Sequence, residues 1–520
     1  MSTREMSAGL PYIAAPIRRG IERETLRANA QGELSLAPHP NALGSKLGHP
    51  HITTDFSEAQ LELITGVSAT PEALLGELAE IHSCVYAGLG AELLWPTSMP
   101  CELPADDAIP LAHYGTSNAA RTKTIYRKGL AIRYGRAMQT ICAVHYNLSF
   151  SDELFDALAE RQGVINSQGW RDTQYFTLMR NFRANSWLVV YLFGASPAVS
   201  DSFVVGREHN FSRLGRDTLY LPHATSLRSG ALGYQSDVQA ENLLVTYNTL
   251  NDYVASLAGA ITKPWHGYAE NEEGEPIQLN HCILQSEAEF YSSIRAKRMG
   301  AGFHSGLAAL AAGGVEYIEV RLLDIDPLAP LGISRETLAF MDAFLTWCLL
   351  TPATNHDSAR CEEIRANIRT TVLRGREPGL VLQRGGDPYT LQSWGTELID
   401  ALAPAAGWLD SNRGDDMHTA ALATQRARID NPTNTPSAQV EEALAAGASF
   451  NSYGLELAQA HRDKLQTTLD DEVQRRFDAL ARESLATQAR ADAAAEPSFT
   501  DHLDGLQRGY AAILRAVGSA

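Results

Sequence analysis

No CxxC pair occurs among the six cysteines, which lie scattered at positions 84, 101, 142, 282, 348 and 361. Thiols so dispersed in a chain of 520 residues read as reduced side chains of an intracellular protein, not as a disulfide framework. The start, "MSTREMSAGLPYIAAP", lacks the basic-then-apolar order of a secretion signal. The longest apolar-rich stretch, "SWLVVYLFGASPAV" at 186–199, is too short and too interrupted to span a bilayer. Positive charge is scarce as well: 43 Lys and Arg against 61 Asp and Glu leave a net charge of −18. That balance argues against a nucleic-acid or anionic-membrane surface, while metal ions and a local Arg/Lys cluster would still allow ATP to bind. The expectation is a soluble, cytoplasmic protein.

Several chemical signatures are missing too. There is no G-x-x-x-x-G-K-[ST], no G-x-G-x-x-G after a strand, no G-x-S-x-G and no H-E-x-x-H. Any nucleotide must therefore be held without a phosphate loop. No internal repeat or long low-complexity tract occurs, "ADAAAEP" being the nearest approach.

What the chain does have is 44% hydrophobic content, enough for one large core or two to three domains. Alternating polar and apolar residues predict strands at 20–26, 59–65, 141–150 and 315–323. Helices are predicted at 71–90, 151–162, 168–182 and 335–350. Beyond about residue 355 the composition shifts to Ala, Arg, Glu and Gln at helical spacing, with "NPTNTPS" (431–437) as a loop. The predicted fold class is α+β, with residues 1–350 as a catalytic core and 351–520 as a mainly helical region packed on it.

Four segments carry the candidate chemistry. In "GIERETLR" (20–27), Glu22 and Glu24 share one strand face while Arg23 points away. Adjacent carboxylates repel unless a shared proton or a cation holds them, although a solvated strand of mixed charge has the same pattern. In "TTDFSEAQLELIT" (53–65), Glu62 shares a face with Gln60 and Ile64, and Asp55 sits in the turn before. An amphipathic strand with one solvated Glu is the plainer reading. In "ICAVHYNLSF" (141–150), His145, Asn147 and Ser149 form a polar face that suits a lined cleft, while a lone His is more often structural. In "GGVEYIEVRLLDIDP" (313–327), Glu319 and Arg321 share a face with Tyr317 and Leu323. Two such charges in an apolar strand are costly unless paired or bound to a ligand, and an internal salt bridge satisfies that condition.

Two basic stretches offer counter-charge. "RTKTIYRKGLAIRYGRAMQ" (121–139) reads mostly as a solvated helix face. "HATSLRSGALGY" (223–234) sets Arg228 among small residues, where a guanidinium can grip a carboxylate or simply face solvent. Taken together, Glu22, Glu24, Asp55, Glu62, Glu319 and His145 make an oxygen-rich set with one imidazole. Such a set suits Mg²⁺ or Mn²⁺, and more than one ion.

These segments, with "WPTSMPC", "YGTSN" and "YLFGASPA", resemble in order the glutamate–cysteine ligase family of the proteobacterial type, from about residue 18 to 330 and more loosely to the end. That family is similar in fold to glutamine synthetase, so the resemblance implies an antiparallel sheet lining the active site. It implies phosphorylation of the γ-carboxylate of L-glutamate by ATP, then attack by the amine of L-cysteine to give γ-glutamylcysteine for glutathione synthesis. Carried over by position, Glu22, Glu24, Asp55, Glu62, His145 and Glu319 would hold the metals, and Glu319 and Arg321 would be catalytic. Gln139, Asn147 and Arg228 would hold glutamate, and Tyr126, Tyr234 and Tyr291 would form the cysteine pocket, although tyrosines of this kind also serve as core packing. The stretch ahead of "RRG" is short for the family, which suggests a trimmed N-terminal helix, and no second ATP-binding domain is expected after the ligase. A different amine, an inactive regulatory homologue and a plain metal-binding structural protein are the alternatives. A monomer is the working expectation.

Overall fold

The computed structural model describes residues 9–233, 236–271, 274–300 and 306–518. Its strands in chain order are β1 (Ile17–Ala28), β2 (Ile52–Thr54), β3 (Gln60–Ile64), β4 (Leu93–Leu94), β5 (Val144–Phe150), β6 (Ala198–Ser200), β7 (Ser212–Leu214), β8 (Thr218–Tyr220), β9 (Ile294–Lys297), β10 (Tyr317–Leu323), β11 (Val381–Arg384) and β12 (Asp387–Thr390). Seven of them form one antiparallel sheet in the order β2-β3-β1-β5-β10-β9, with β4 pairing the end of β1. β6, β8 and β7 make a small second sheet, and β11 and β12 a hairpin. Sixteen α-helices accompany them among the described residues.

β1 organises the sheet, and its alternation explains how. Ile17 and Ile21 are fully buried on the face that also carries Arg19, Arg23 and Arg27, leaving Glu22 and Glu24 on the other. Buried arginines need compensation. The Arg19 guanidinium donates from Nε and Nη2 to Asp342 at 2.9 and 2.6 Å. The Tyr146 hydroxyl of β5 donates to the same carboxylate, and His418 Nε2 lies 3.5 Å from it. His418 in turn lies 2.7 Å from Asp410 through Nδ1. This buried network ties β1 and β5 to the helix Arg335–Leu350 and to the later helices Leu391–Arg413 and Met417–Asp430.

The helix Pro71–Gly88 follows the rules of its sequence. Thr70 caps it by accepting from the Ala73 N–H at 3.3 Å, and Pro71 occupies the first helical turn. Leu74, Leu78, Ile81 and Val85, spaced four, three and four apart, present one fully buried face. Each such side chain contributes about 1.5–3 kcal/mol by leaving water.

Two predicted elements differ in extent. The helix expected to end at 182 runs over Gln168–Phe193, because Ser186–Phe193 is buried on every side. Trp187 packs 4.7 Å from the Trp394 ring and Phe193 5.2 Å from Phe340, and Gly194 ends the helix. The region beyond 355, expected to be helical, also contains the β11–β12 hairpin. Its turn is Gly385–Gly386, both at positive φ (64° and 86°), the Gly-Gly signature of a two-residue hairpin. The "NPTNTPS" loop holds a short 3-10 turn at Pro432–Asn434 before the next helix starts at Pro436. No described helix is long and apolar enough to cross a membrane.

Candidate active site

Strand register assembles the site. β1 sets Glu22 opposite Ile64 and Glu24 opposite Glu62 of β3. Across its other edge, Glu22 faces His145 of β5, and Asn147 of β5 faces Glu319 of β10. Four neighbouring strands thus bring carboxylates and an imidazole to one face, with no loop needed to hold them.

Ligand atoms of Glu22, His145 and Glu319 lie within 4.8 Å of one another, and so do those of Glu24, Glu62 and His145. His145 is common to both groups. Its Nδ1 is 3.3 Å from Glu22 and 3.8 Å from Glu319, while its Nε2 is 3.5 Å from Glu24. Asp55 joins neither group. It sits 3.9 Å from Arg127 and bears on Glu24 and Glu62 through its charge. Among the described residues, buried Glu319 Oε2 and Asn147 Oδ1 accept no hydrogen bond, although Lys297 Nζ lies 3.5 Å from the former, so oxygen lone pairs are left for a cation. The carboxylate-rich donor set with a single imidazole fits Mg²⁺ or Mn²⁺.

The electrostatics divide the acids. Burial and the Asp55 charge push Glu24 up to about 8. Burial together with Glu22, Asp55 and Glu24 raises Glu62 well above the usual carboxylate range. For Glu319 burial acts upward too, but Lys297, Arg321 and Arg295 outweigh it and hold the carboxyl well below that range. Burial would also raise Glu22, yet the His145 contact keeps it below its ordinary value. His145 itself is lowered by burial and by Arg321, which favours the neutral imidazole a metal requires.

Arg321 donates to Glu319 Oε1 at 3.0 Å and lies 3.3 Å from His145 Nδ1. Leu323, expected on the same face, is turned to the core. The register of β10 shifts between Val320 and Leu323, so Leu323 stands opposite Val144 and is 1% exposed. Arg228 supports this irregular stretch, donating to the Arg321 carbonyl at 2.6 Å and lying 3.6 Å from Asp324. Asn147 donates to Glu22 at 2.8 Å. Gln139, buried at the end of the short helix Arg136–Gln139, donates to the Tyr291 hydroxyl at 3.0 Å, and Tyr291 packs edge-on 5.5 Å from Tyr134. Tyr126 is buried in the helix Asn118–Tyr134, with its carbonyl accepting from Gln285 at 3.1 Å. Tyr234 lies outside the described residues.

Two site cations escape the motif reading. Arg295 stands opposite Glu319 and Lys297 opposite Tyr317, and Lys297 Nζ is 3.5 Å from Glu319 Oε2. The alternation in "IRAK", with Ile294 and Ala296 buried between the charges, was the available signal. The basic stretch 121–139 also needs correction, since it is not mainly a solvated face. Arg127 is buried and donates to the Asp55 carbonyl, and the side chain of Arg133 is fully buried against Glu289 at 2.9 Å. Cys101 and Cys361 are buried.

A sheet face that gathers carboxylates and an imidazole within ligand distance, edged by guanidinium and ammonium groups, marks an α+β enzyme with a candidate cation-binding site. A family model described as glutamate–cysteine ligase matches residues 9–371. A glutamate–cysteine ligase from Pseudomonas fluorescens is 46% identical over 476 residues, 90% of this chain and 89% of that protein. One from Pseudomonas aeruginosa is 45% identical over 490 residues, 93% of this chain and 92% of that protein. The crystal structure of glutamate–cysteine ligase from Francisella tularensis in complex with AMP aligns with a TM-score of 0.89 at 31% identity, covering 96% of this chain and 99% of that one. A bifunctional glutathione synthetase from Pasteurella multocida shares the fold at a TM-score of 0.67 and 24% identity, covering 97% of this chain and 57% of that one. The chain belongs to the glutamate–cysteine ligase family.

Proposed function

We propose that the protein joins L-glutamate to L-cysteine with ATP, giving γ-glutamylcysteine, ADP and phosphate, the first step of glutathione synthesis. The observation that carries this reading is the pair of ligand groups sharing His145 with Arg321 at their edge. His145 would serve one divalent cation, with Glu22 and Glu319 or with Glu24 and Glu62, and the carboxylates of the other group would serve a second, with Asp55 adding charge nearby. Bound there, Mg²⁺ or Mn²⁺ would neutralise the phosphate oxygens of ATP.

The chain's own groups account for the rest. A γ-carboxylate oxygen of glutamate bonds to the terminal phosphorus of ATP as the bond to ADP breaks. Arg321 faces the charge that develops on the transferring group. The cysteine nitrogen then bonds to the acyl carbon, phosphate leaves with its bridging oxygen, and the amine gives up a proton. Gln139, Asn147 and Arg228 hold glutamate, while Tyr126, Tyr234 and Tyr291 shape the place of the amine. The Gln139–Tyr291 hydrogen bond of 3.0 Å supports setting those two subsites side by side. Glutamate labelled with ¹⁸O in its γ-carboxylate tests the order of steps. One labelled oxygen should appear in the released phosphate; unlabelled phosphate would rule out the acyl-phosphate route.

A further inference from the structure

A cavity of about 480 Å³ opens beside the site, within the roughly 300–1,000 Å³ range of small-molecule sites. Tyr291 and Arg228 line it, while Gln139, Asn147 and Tyr126 do not. Five arginines contribute to its wall: Arg183, Arg228, Arg321, Arg365 and Arg369. Three are engaged. Arg228 serves the β10 carbonyls and Asp324, Arg321 pairs with Glu319, and Arg365 pairs with Glu362 at 2.8 Å.

Two keep donors in reserve. Arg369 has no hydrogen-bond or ion-pair partner among the described residues, and Arg183 spends only Nη1, on the Val245 carbonyl at 3.3 Å. Arg183 is held in place by an unusual neighbour. Its guanidinium lies 4.4 Å over the Tyr247 ring, and Tyr247 is one of two non-glycine residues at positive φ (59°) among those described. A bulky residue in that region is strained and persists only where its surroundings over-determine it. They do so here: the Tyr247 hydroxyl donates to the Ile294 carbonyl at 2.8 Å, and its own carbonyl accepts from Arg180 at 3.0 Å. The strain therefore serves to fix a half-buried guanidinium on the cavity wall. The remaining acids of the lining, Asp237 and Glu241, are exposed.

The guanidinium preset at Arg183, with the exposed Arg369 on the same wall, calls for a carboxylate beside an acyl-transfer site. We propose that this cavity takes the amine substrate and that Arg183 and Arg369 bind its carboxylate. The assignment rests on the ligase reading above. It makes the α-carboxylate, not only the thiol, a determinant of which amine is accepted.

The test compares L-cysteine with cysteamine, which has the same amine and thiol but no carboxylate, in wild type and in Arg183→Met and Arg369→Met. In wild type, cysteamine should show a KM about 10- to 100-fold above that of cysteine, the loss expected for charge-assisted hydrogen bonds. Each variant should raise the KM for cysteine towards the cysteamine value. The KM values for cysteamine, glutamate and ATP should stay unchanged, as a merely structural role would not allow. Equal use of both amines by wild type would overturn the proposal without any variant. So would a rise in the glutamate KM instead, which would assign these arginines to the other amino acid. Wild type that ligates neither amine would fail the ligase reading itself.

Discussion

Replacing Glu319 with glutamine keeps the shape of the side chain and removes one charge from the centre of the site. The carboxylate is 1% exposed, 3.0 Å from Arg321 and 3.5 Å from Lys297. At an effective dielectric of about 20, each of those pairs corresponds to about 5 kcal/mol of Coulomb attraction before desolvation is counted. Breaking a buried pair from one side typically costs about 3–5 kcal/mol net. Part of that cost returns, because Glu319 also repels Glu22. The variant should therefore melt several degrees lower yet remain folded, with an unchanged far-ultraviolet circular dichroism spectrum. Its catalytic loss should be far larger, since one of three ligands in the Glu22–His145–Glu319 group has lost its charge. Turnover should fall at least ~10³-fold, about 4 kcal/mol of transition-state stabilisation. The assay is ADP release with Mg²⁺, ATP, glutamate and cysteine, alongside thermal denaturation. A folded variant retaining a tenth or more of wild-type turnover would refute the cation-binding role.

Three further outcomes are expected from other parts of the molecule. The Asp342 carboxyl is held at about 2 despite its burial, chiefly by Arg19, so it contributes about 2 kcal/mol above the unfolded value near 4. That contribution is lost as pH falls from about 4 to 2, and Asp342→Asn should flatten the stability profile there; an identical acid limb in the variant would contradict it. Arg228→Ala should raise the glutamate KM and also lower kcat, because Arg228 holds the carbonyl of Arg321 at 2.6 Å. Unchanged glutamate dependence would reassign that loop. Millimolar Mg²⁺ or Mn²⁺ should raise the melting midpoint and a chelator should reverse it, as binding to the folded state alone requires. A midpoint indifferent to both cations would remove the two-group site.

The sheet was legible where strand periodicity alone decides. Glu22 and Glu24 share a face whatever surrounds them, and His145 and Glu319 reach the same face through antiparallel pairing. Leu323 was misplaced because a register shift inserts an extra residue, and alternation carries no sign of it. Lys123 and Arg127 looked solvated because their partners, the Tyr114 ring at 5.1 and 4.6 Å and the Asp55 carbonyl, are distant in the chain. The extension of the helix to Phe193 was hidden by Arg183–Ser186, a polar interruption in the sequence that tertiary packing overrides by burying the whole run from Ser186 to Phe193. By contrast, the β11–β12 hairpin announced itself in Gly385–Gly386 and was outweighed by the helical composition around it.

The most direct test of the whole account is ADP release from the purified protein with Mg²⁺ and ATP, with each amino acid present alone and with both together. Full turnover should require L-glutamate and L-cysteine at once, with γ-glutamylcysteine identified by mass spectrometry. ADP release that ignores both amino acids, or no release under any of these conditions, would contradict the ligase assignment.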